Sequence, residues 1–489
     1  MPNFSLYPIR IDLSLQSATI TPVINSVENG TPTAENTAAL RVLKTSSRAF
    51  SVLLFLLLAC LLAGPGVGQT LARPGWAGSG MNLEAWWTHA IFYEVDPHGF
   101  RDADGNGIGD LRGLTSQLDY IHSLGVDAIT VTHVAPAQGE IPARLQSIDP
   151  AVGSLDDFDD LIREASRDSL RLIVQLDVPQ GTDPAALATI AKFWLSRGAA
   201  GISVRSGTPG DPSRAAQLHR LHEVTRSFAG QRILIAESSS TGSAAIPHAD
   251  IDMVLDPALA QVGGADAGKL RTAMESLQAA SANLALIAAT DGPESDRSAG
   301  RIGDGTNNQA IAKVLATLLL STRANAQLYF GQEIGFAAKA GDSALIPWGV
   351  PADPNAKPSA KTASQGPEVI AEEADPDSLL NWYRRLIDLH HGNAILRSGA
   401  SDLLNHDDQN SIVWISRKAT ITPLTPAIVV ACNLSSKPVT LSLTGDIAKL
   451  HLRGNFLRTV IRSDNGMGGM SLNAITLPPF GVYIGEIRF

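Results

Sequence analysis

The sequence predicts an α/β fold: a (β/α)8 barrel followed by a small C-terminal antiparallel β domain. From Ile91 onward, short apolar strands alternate with helical stretches, the rhythm of parallel strands joined by crossover helices. Eight strands can be placed, near Ile91 to Val95, Ala128 to Val134, Leu172 to Leu176, Gly201 to Val204, Ile233 to Ala236, Met253 to Leu255, Leu284 to Ala288 and Gln327 to Phe330. After Arg397 the pattern changes to alternating strands with turn residues between them, as in Ser411-Ile412-Val413-Trp414-Ile415 and Ala427-Ile428-Val429-Val430-Ala431.

The connecting helices follow from spacing. Between the second and third strands, Leu155, Phe158, Leu161, Ile162 and Ala165 recur at helical intervals and give one apolar face. Eight strand-helix units close into a barrel whose chemistry sits at the carboxyl ends of the strands. The chain divides into a polar leader over 1–49, expected to be disordered, an apolar segment over 50–72, a barrel over 83–397 and a C-terminal β-sandwich over 398–489. With 489 residues, of which 44% are apolar and 18% charged, there is enough material for one large core and a smaller one. A formal charge of −10 with no local run of Lys or Arg argues against nucleic acid as a partner.

Phe50 to Ala63 is apolar apart from Ser51, follows Arg41, Lys44 and Arg48, and precedes Gly64-Pro65-Gly66 and a small-residue site at Thr70-Leu71-Ala72. This reads as a secretory signal, and the run is shorter than the roughly 18 residues of a spanning helix. A membrane anchor through residues 50–63 is the other reading; either way the bulk of the chain is expected outside the cytoplasm, secreted or periplasmic. Leu57-Leu58-Ala59-Cys60 looks like a lipoprotein processing box, although apolar residues continue past it. The only other cysteine is Cys432, so a mature domain without Cys60 forms no internal disulfide.

Several segments, in order, resemble the α-amylase family, glycoside hydrolase family 13. They include Trp86-Trp87, Ile91-Phe92-Tyr93-Glu94-Val95, Asp102 to Gly113, Leu118-Asp119-Tyr120, Ile148-Asp149-Pro150, Phe330-Gly331-Gln332-Glu333-Ile334-Gly335 and Asp375-Pro376-Asp377-Ser378. The resemblance implies a retaining glycosidase site, which needs one carboxylate as nucleophile and another as acid/base. Glu237, in Leu234-Ile235-Ala236-Glu237, matches the acid/base, and Asp291, in Ala289-Thr290-Asp291, matches the carboxylate that stabilises the transition state.

The nucleophile position departs from that pattern. Where the family carries Gly-Phe-Arg-x-Asp, this chain reads Gly201-Ile202-Ser203-Val204-Arg205, so Ser203 replaces the arginine and Arg205 the nucleophile. A guanidinium has donors only and cannot attack an anomeric carbon. Gln175, Pro179 and Gln180 replace the third-strand Asp-x-x-x-Asn-His, Thr290 replaces a histidine, and Asp96 stands where the first loop commonly has an aromatic residue. The subdomain that walls the family's cleft is missing, because Asp177 reaches a helix starting near Pro184 in a few residues. The expectation is a pocket in which Glu237 and Asp291 neutralise Arg205, since an arginine favours the charged form of a neighbouring carboxylate and an ionised glutamate makes a poor general acid.

Asp102-Ala103-Asp104-Gly105-Asn106-Gly107-Ile108-Gly109-Asp110 places oxygen ligands at alternate positions and resembles the family's calcium loop, which implies a structural Ca2+ held by Asp102, Asp104, Asn106, the Ile108 carbonyl and Asp110. A turn that binds nothing is the alternative. Three functional readings stay open: a barrel that has lost hydrolysis and acts by binding or scaffolding, an active hydrolase of α-glucosides using Glu237 and Asp291, and a membrane-anchored partner subunit. The last resembles the heavy-chain subunits of heteromeric amino-acid transporters, which share the single N-terminal apolar segment, the missing cleft wall and the Val-Arg at this strand end. The implied partners are an α-glucan or oligosaccharide, or a membrane or protein partner.

Overall fold

The computed structural model describes residues 84–488, apart from 207–212, 238–249, 282–284, 342–343, 350–366, 407–408, 419–425 and 465. The polar leader, the apolar run Phe50 to Ala63 and Cys60 lie outside the described residues. Among the described residues, no helix is long and apolar enough to cross a membrane.

Eight parallel strands close into a barrel in sequence order: β1 (Ile91–Val95), β2 (Ala128–Val131), β3 (Arg171–Val178), β4 (Gly201–Ser206), β5 (Ile233–Glu237), β6 (Met253–Asp256), β7 (Leu286–Ala289) and β8 (Asn325–Tyr329). The ring is sealed where β1 pairs with β8, Phe92 opposite Gln327. β2 is shorter than its apolar pattern predicts. His133 takes a left-handed backbone, φ 52°, which ends the strand before Val134. β7 starts two residues later than expected, and β8 starts and ends earlier.

Among the described residues, seven helices have seven or more residues: α1 (Leu118–Leu124), α2 (Leu155–Arg167), α3 (Pro184–Ser196), α4 (Arg214–Ser227), α5 (Ala267–Ala280), α6 (Asn308–Leu320) and α7 (Leu379–Gly392). α2 shows how local sequence sets an element. Ser154 caps it by accepting from the Asp157 backbone, Asp157 reaches back to the Ser154 backbone, and the buried stripe Phe158, Leu161, Ile162 and Ala165 faces inward. Phe158 meets the fully buried Trp194 of α3 edge-on, with ring centroids 4.8 Å apart. Truncating that tryptophan to alanine would cost about 3–5 kcal/mol.

Period-two alternation sorts the strand residues. One set, including Tyr93, Val95, Ile129, Val174 and Leu234, joins the core beneath the helices. The other points into the barrel, where Phe92, Ala128, Ile173, Ile233, Ile235, Met253 and Ile287 fill an apolar layer with Trp87. Gly201 is what lets β4 approach β5 in this layer, because a Cβ there would stand 2.3 Å from Ile233 Cγ2 and 2.6 Å from the Ile233 carbonyl oxygen. Further along the same strands the inward residues turn polar: Glu94, Thr130, Gln175, Ser203 and Gln327 are all buried.

The C-terminal region forms a six-stranded antiparallel sheet and a two-stranded one. The larger contains β9 (Ala400–Leu404), β10 (Ser411–Arg417), β11 (Ala427–Asn433), β13 (Phe456–Arg462), β14 (Met470–Ser471) and β16 (Val482–Arg488); the smaller pairs β12 (Val439–Leu441) with β15 (Ile475–Leu477). β10 and β11 read as unbroken apolar runs because both faces are buried. Ile412, Trp414, Ile428, Val430 and Cys432 join the barrel core, while Val413, Ile415, Val429 and Ala431 pack with the small sheet. Barrel and C-terminal sheets therefore share one continuous core, reinforced where Arg271 donates to the Leu404 carbonyl at 2.7 Å.

Candidate functional site at the carboxyl ends of the barrel strands

Period-two alternation makes Ser203 and Arg205 share the inward face of β4, one step apart along the strand. In register, Ser203 lies opposite Gln175 of β3, and Arg205 opposite Asp177. Glu237 ends β5 on the other side. Its carboxylate accepts from Gln175 Nε2 at 3.2 Å and Ser203 Oγ at 3.0 Å through Oε1, and from Arg205 Nε at 2.8 Å through Oε2. The structure thus brings Gln175, Ser203, Arg205 and Glu237 into one cluster, with both oxygens of the glutamate engaged as acceptors.

Arg205 is held by more than Glu237. Its Nη2 lies 3.6 Å from Glu94 Oε1 and its Nη1 3.8 Å from Asp177 Oδ1. Burial alone would make the guanidinium easier to deprotonate, but the charges of Glu237 and Glu94 outweigh it and raise its pKa. Glu94 is only 2% exposed and accepts from Gln327 Nε2 at 2.7 Å. Burial, with the neighbouring Glu237 charge behind it, pushes the Glu94 carboxyl up to about 8 against the pull of Arg205.

Asp291 stands apart from this cluster, and the expectation that it neutralises Arg205 is corrected. It is buried, accepts from the Ser298 backbone N–H at 2.6 Å and from Thr290 Oγ1 at 3.2 Å, and makes no ion pair with Arg205. The Thr290 hydroxyl in turn accepts from Gln332 Nε2 at 3.3 Å. The loop after β7 supplies these partners locally, so the carboxylate is satisfied without the cation.

A second chain of polar contacts flanks the first. Asp96 receives His98 Nδ1 at 2.8 Å and His133 Nδ1 at 3.0 Å, and His133 Nε2 lies 3.8 Å from Asp177. Burial would raise Asp96, but the hydrogen bonds from His133 and His98 outweigh it and hold the carboxyl well below the usual range. The same hydrogen bond lifts His133 above its ordinary value despite partial burial.

Sequence reasoning did not single out Glu94 or His133. The signal for Glu94 was present: a glutamate at an inward position of an otherwise apolar strand. No local pattern marks His133, whose role comes from the backbone turn that ends β2. Between β3, ending at Val178, and α3, starting at Pro184, only residues 179–183 intervene, so no subdomain is inserted there.

The loop over Asp102 to Asp110 brings the carboxylates of Asp102, Asp104 and Asp110 within 4.8 Å of one another. Asp102 accepts from the backbone of Gly105 and Gly107, both at 2.6 Å, and these glycines adopt φ 81° and 90°. Asn106 Oδ1 accepts from the Ile108 backbone at 2.7 Å, and Asp110 caps the helix at Leu111–Thr115 through the Gly113 backbone.

The closed parallel barrel with a carboxylate-arginine cluster at its carboxyl strand ends is a (β/α)8 barrel, a fold whose functional side chains gather at that face. Comparison with known proteins makes the assignment narrower. The model of the alpha-amylase catalytic domain matches residues 94–179. Trehalose-6-phosphate hydrolase of Escherichia coli (strain K12) is 42% identical over 99 residues, 19% of this chain and 18% of that protein. The amino acid transporter heavy chain SLC3A2 of Oryctolagus cuniculus is 28% identical over 364 residues, 67% of this chain and 65% of that protein. These alignments span less than two thirds of either relative's own length. The trehalulose synthase MutB from Pseudomonas mesoacidophila MX-45 shares the fold with a TM-score of 0.68 at 16% identity, covering 83% of this chain and all of that one. Over residues 94–179 the chain is thus similar to the alpha-amylase catalytic domain, and its barrel as a whole shares the fold of α-amylase-family structures.

Proposed function

We infer that this protein is an α-amylase-family barrel that does not cleave glycosidic bonds and acts by binding or scaffolding outside the cytoplasm. The observation that carries this reading is the 2.8 Å pair between Arg205, at the nucleophile position, and Glu237, at the acid/base position. A retaining glycosidase places the anomeric carbon between two carboxyl groups about 5–5.5 Å apart. Here the guanidinium fills that space, offers no lone pair, and commits Glu237 as an acceptor. The extracytoplasmic placement rests on the apolar run Phe50 to Ala63.

The length of the matches favours a protein partner over a sugar. The relatives named as hydrolases align over about one hundred residues, whereas the transporter heavy chain aligns over 364. A non-catalytic partner subunit of a membrane transporter is therefore the specific form of the scaffold reading that we favour. The Asp102 to Asp110 loop suits a structural Ca2+: its donors are hard carboxylate and amide oxygens, three of them carboxylates already close together.

The test is a hydrolysis screen on aryl α-glucosides, maltooligosaccharides and trehalose, run beside the Ser203→Arg, Arg205→Asp double variant. Background rates for the unmodified chain are expected, and turnover well above background would refute the inactive reading in favour of an α-glucosidase. Copurification from its native membrane with a transporter permease is the expected result for the partner reading; recovery without one would count against it.

A further inference from the structure

The amino-terminal end of the barrel, opposite Arg205, holds a cavity of about 180 Å³ between α5, α6 and the first strand of the C-terminal sheet. Its deep part is formed by Leu259, Met274, Leu277 and Leu318, all buried. Its rim is polar and includes Gln278 and Arg323.

Two rim groups have hydrogen-bonding capacity left over. Gln278 Nε2 is shut off from solvent and has no partner among the described residues. Arg323 donates from Nε to Ser281 Oγ at 3.3 Å and from Nη2 to the Ser281 carbonyl, and among the described residues it faces no carboxylate. A guanidinium carries five N–H donors, and a buried amide donor without an acceptor is destabilising. The rim is thus rich in donors and positively charged, while the interior is hydrocarbon. A cavity of roughly 150 Å³ lined by such side chains accommodates a benzene ring.

We propose that this cavity binds a small monocarboxylate with an apolar tail of about six carbons, its carboxylate on Arg323 and Gln278 and its tail among Leu259, Met274, Leu277 and Leu318. Each part of the ligand answers a separate part of the cavity. An anion without a tail leaves the apolar interior unfilled, and an alcohol leaves the Arg323 charge unpaired.

Calorimetric titration of the full chain with hexanoate, acetate and hexan-1-ol tests this. Hexanoate is expected to bind at least tenfold more tightly than either of the others. Arg323→Gln should weaken hexanoate at least tenfold, and Leu277→Trp, which fills the interior, should abolish binding. Should Arg323→Gln fail to fold, Gln278→Glu serves instead: its negative charge should weaken hexanoate and leave hexan-1-ol unchanged. No hexanoate binding, equal affinity for hexanoate and either control, or hexanoate affinity unmoved by both rim variants would overturn the proposal. None of these outcomes bears on the inactive-barrel reading, because Arg205 lies at the other end of the strands.

Discussion

Replacing Arg205 by alanine should destabilise the fold in a way that depends on pH. Arg205 is the cation between Glu237 at 2.8 Å and Glu94 at 3.6 Å, and its side chain is 21% exposed. Breaking a fully buried pair costs about 3–5 kcal/mol, and partial exposure puts this site at or below the lower end, about 2–3 kcal/mol at pH 5.5. Glu94 titrates at about 8 in the folded chain, above its ordinary value, so at pH 5.5 it is neutral there. A carboxyl raised on folding contributes stability that is complete below its unfolded value and is lost as pH rises through its folded value. Without Arg205, the Glu237 charge acts on Glu94 unopposed and raises it further from about 8, which costs about 1 kcal/mol at pH 9 for the first unit and saturates at about 1.4 kcal/mol once the carboxyl stays protonated there. The loss should therefore be larger at pH 9 than at pH 5.5, as read by denaturant unfolding at both values. Adding Glu94→Gln to Arg205→Ala should recover stability at pH 9 and little at pH 5.5. A loss equal at the two pH values, or no recovery from the second substitution, would refute the argument, as would any gain of α-glucoside hydrolysis in Arg205→Ala.

Three further outcomes are expected. Chelator should lower the melting temperature and metal analysis should find one Ca2+ per chain, with Asp102→Asn abolishing both effects; unchanged stability would make the loop a plain turn. Gly201→Ala should cost about 1–3 kcal/mol in unfolding experiments, because the new methyl meets the Ile233 carbonyl as well as its side chain and the backbone of a closed barrel has little room to yield. His133, raised by its bond to Asp96, contributes stability that is complete below its ordinary value of about 6.5 and is lost as pH rises through its folded value. His133→Asn, which keeps a residue tolerant of φ 52°, should thus cost more stability at pH 5.5 than at pH 9, and a loss independent of pH would contradict the assigned pair.

Sequence by itself determined the barrel, the C-terminal strands and the arginine at the end of the fourth strand. Strand periodicity is a local property, and it already states that Ser203 and Arg205 share a face and that the β3–β4–β5 order brings Gln175, Arg205 and Glu237 together. Tertiary structure alone decided which carboxylates Arg205 pairs with. Glu94 lies more than a hundred positions upstream, and it reaches the arginine only because closing the barrel turns every inward side chain toward one axis. Asp291 matches the family pattern as well as Glu237 does, yet the return of the chain at Ser298 supplies it with a backbone donor and removes it from the cluster. The shortening of β2 has the same origin: Thr132 to Val134 read as strand, but His133 takes a left-handed backbone and meets Asp96 at the end of the neighbouring β1. Periodicity settles which way a side chain faces, and the order of strands and the path of their loops settle what it meets.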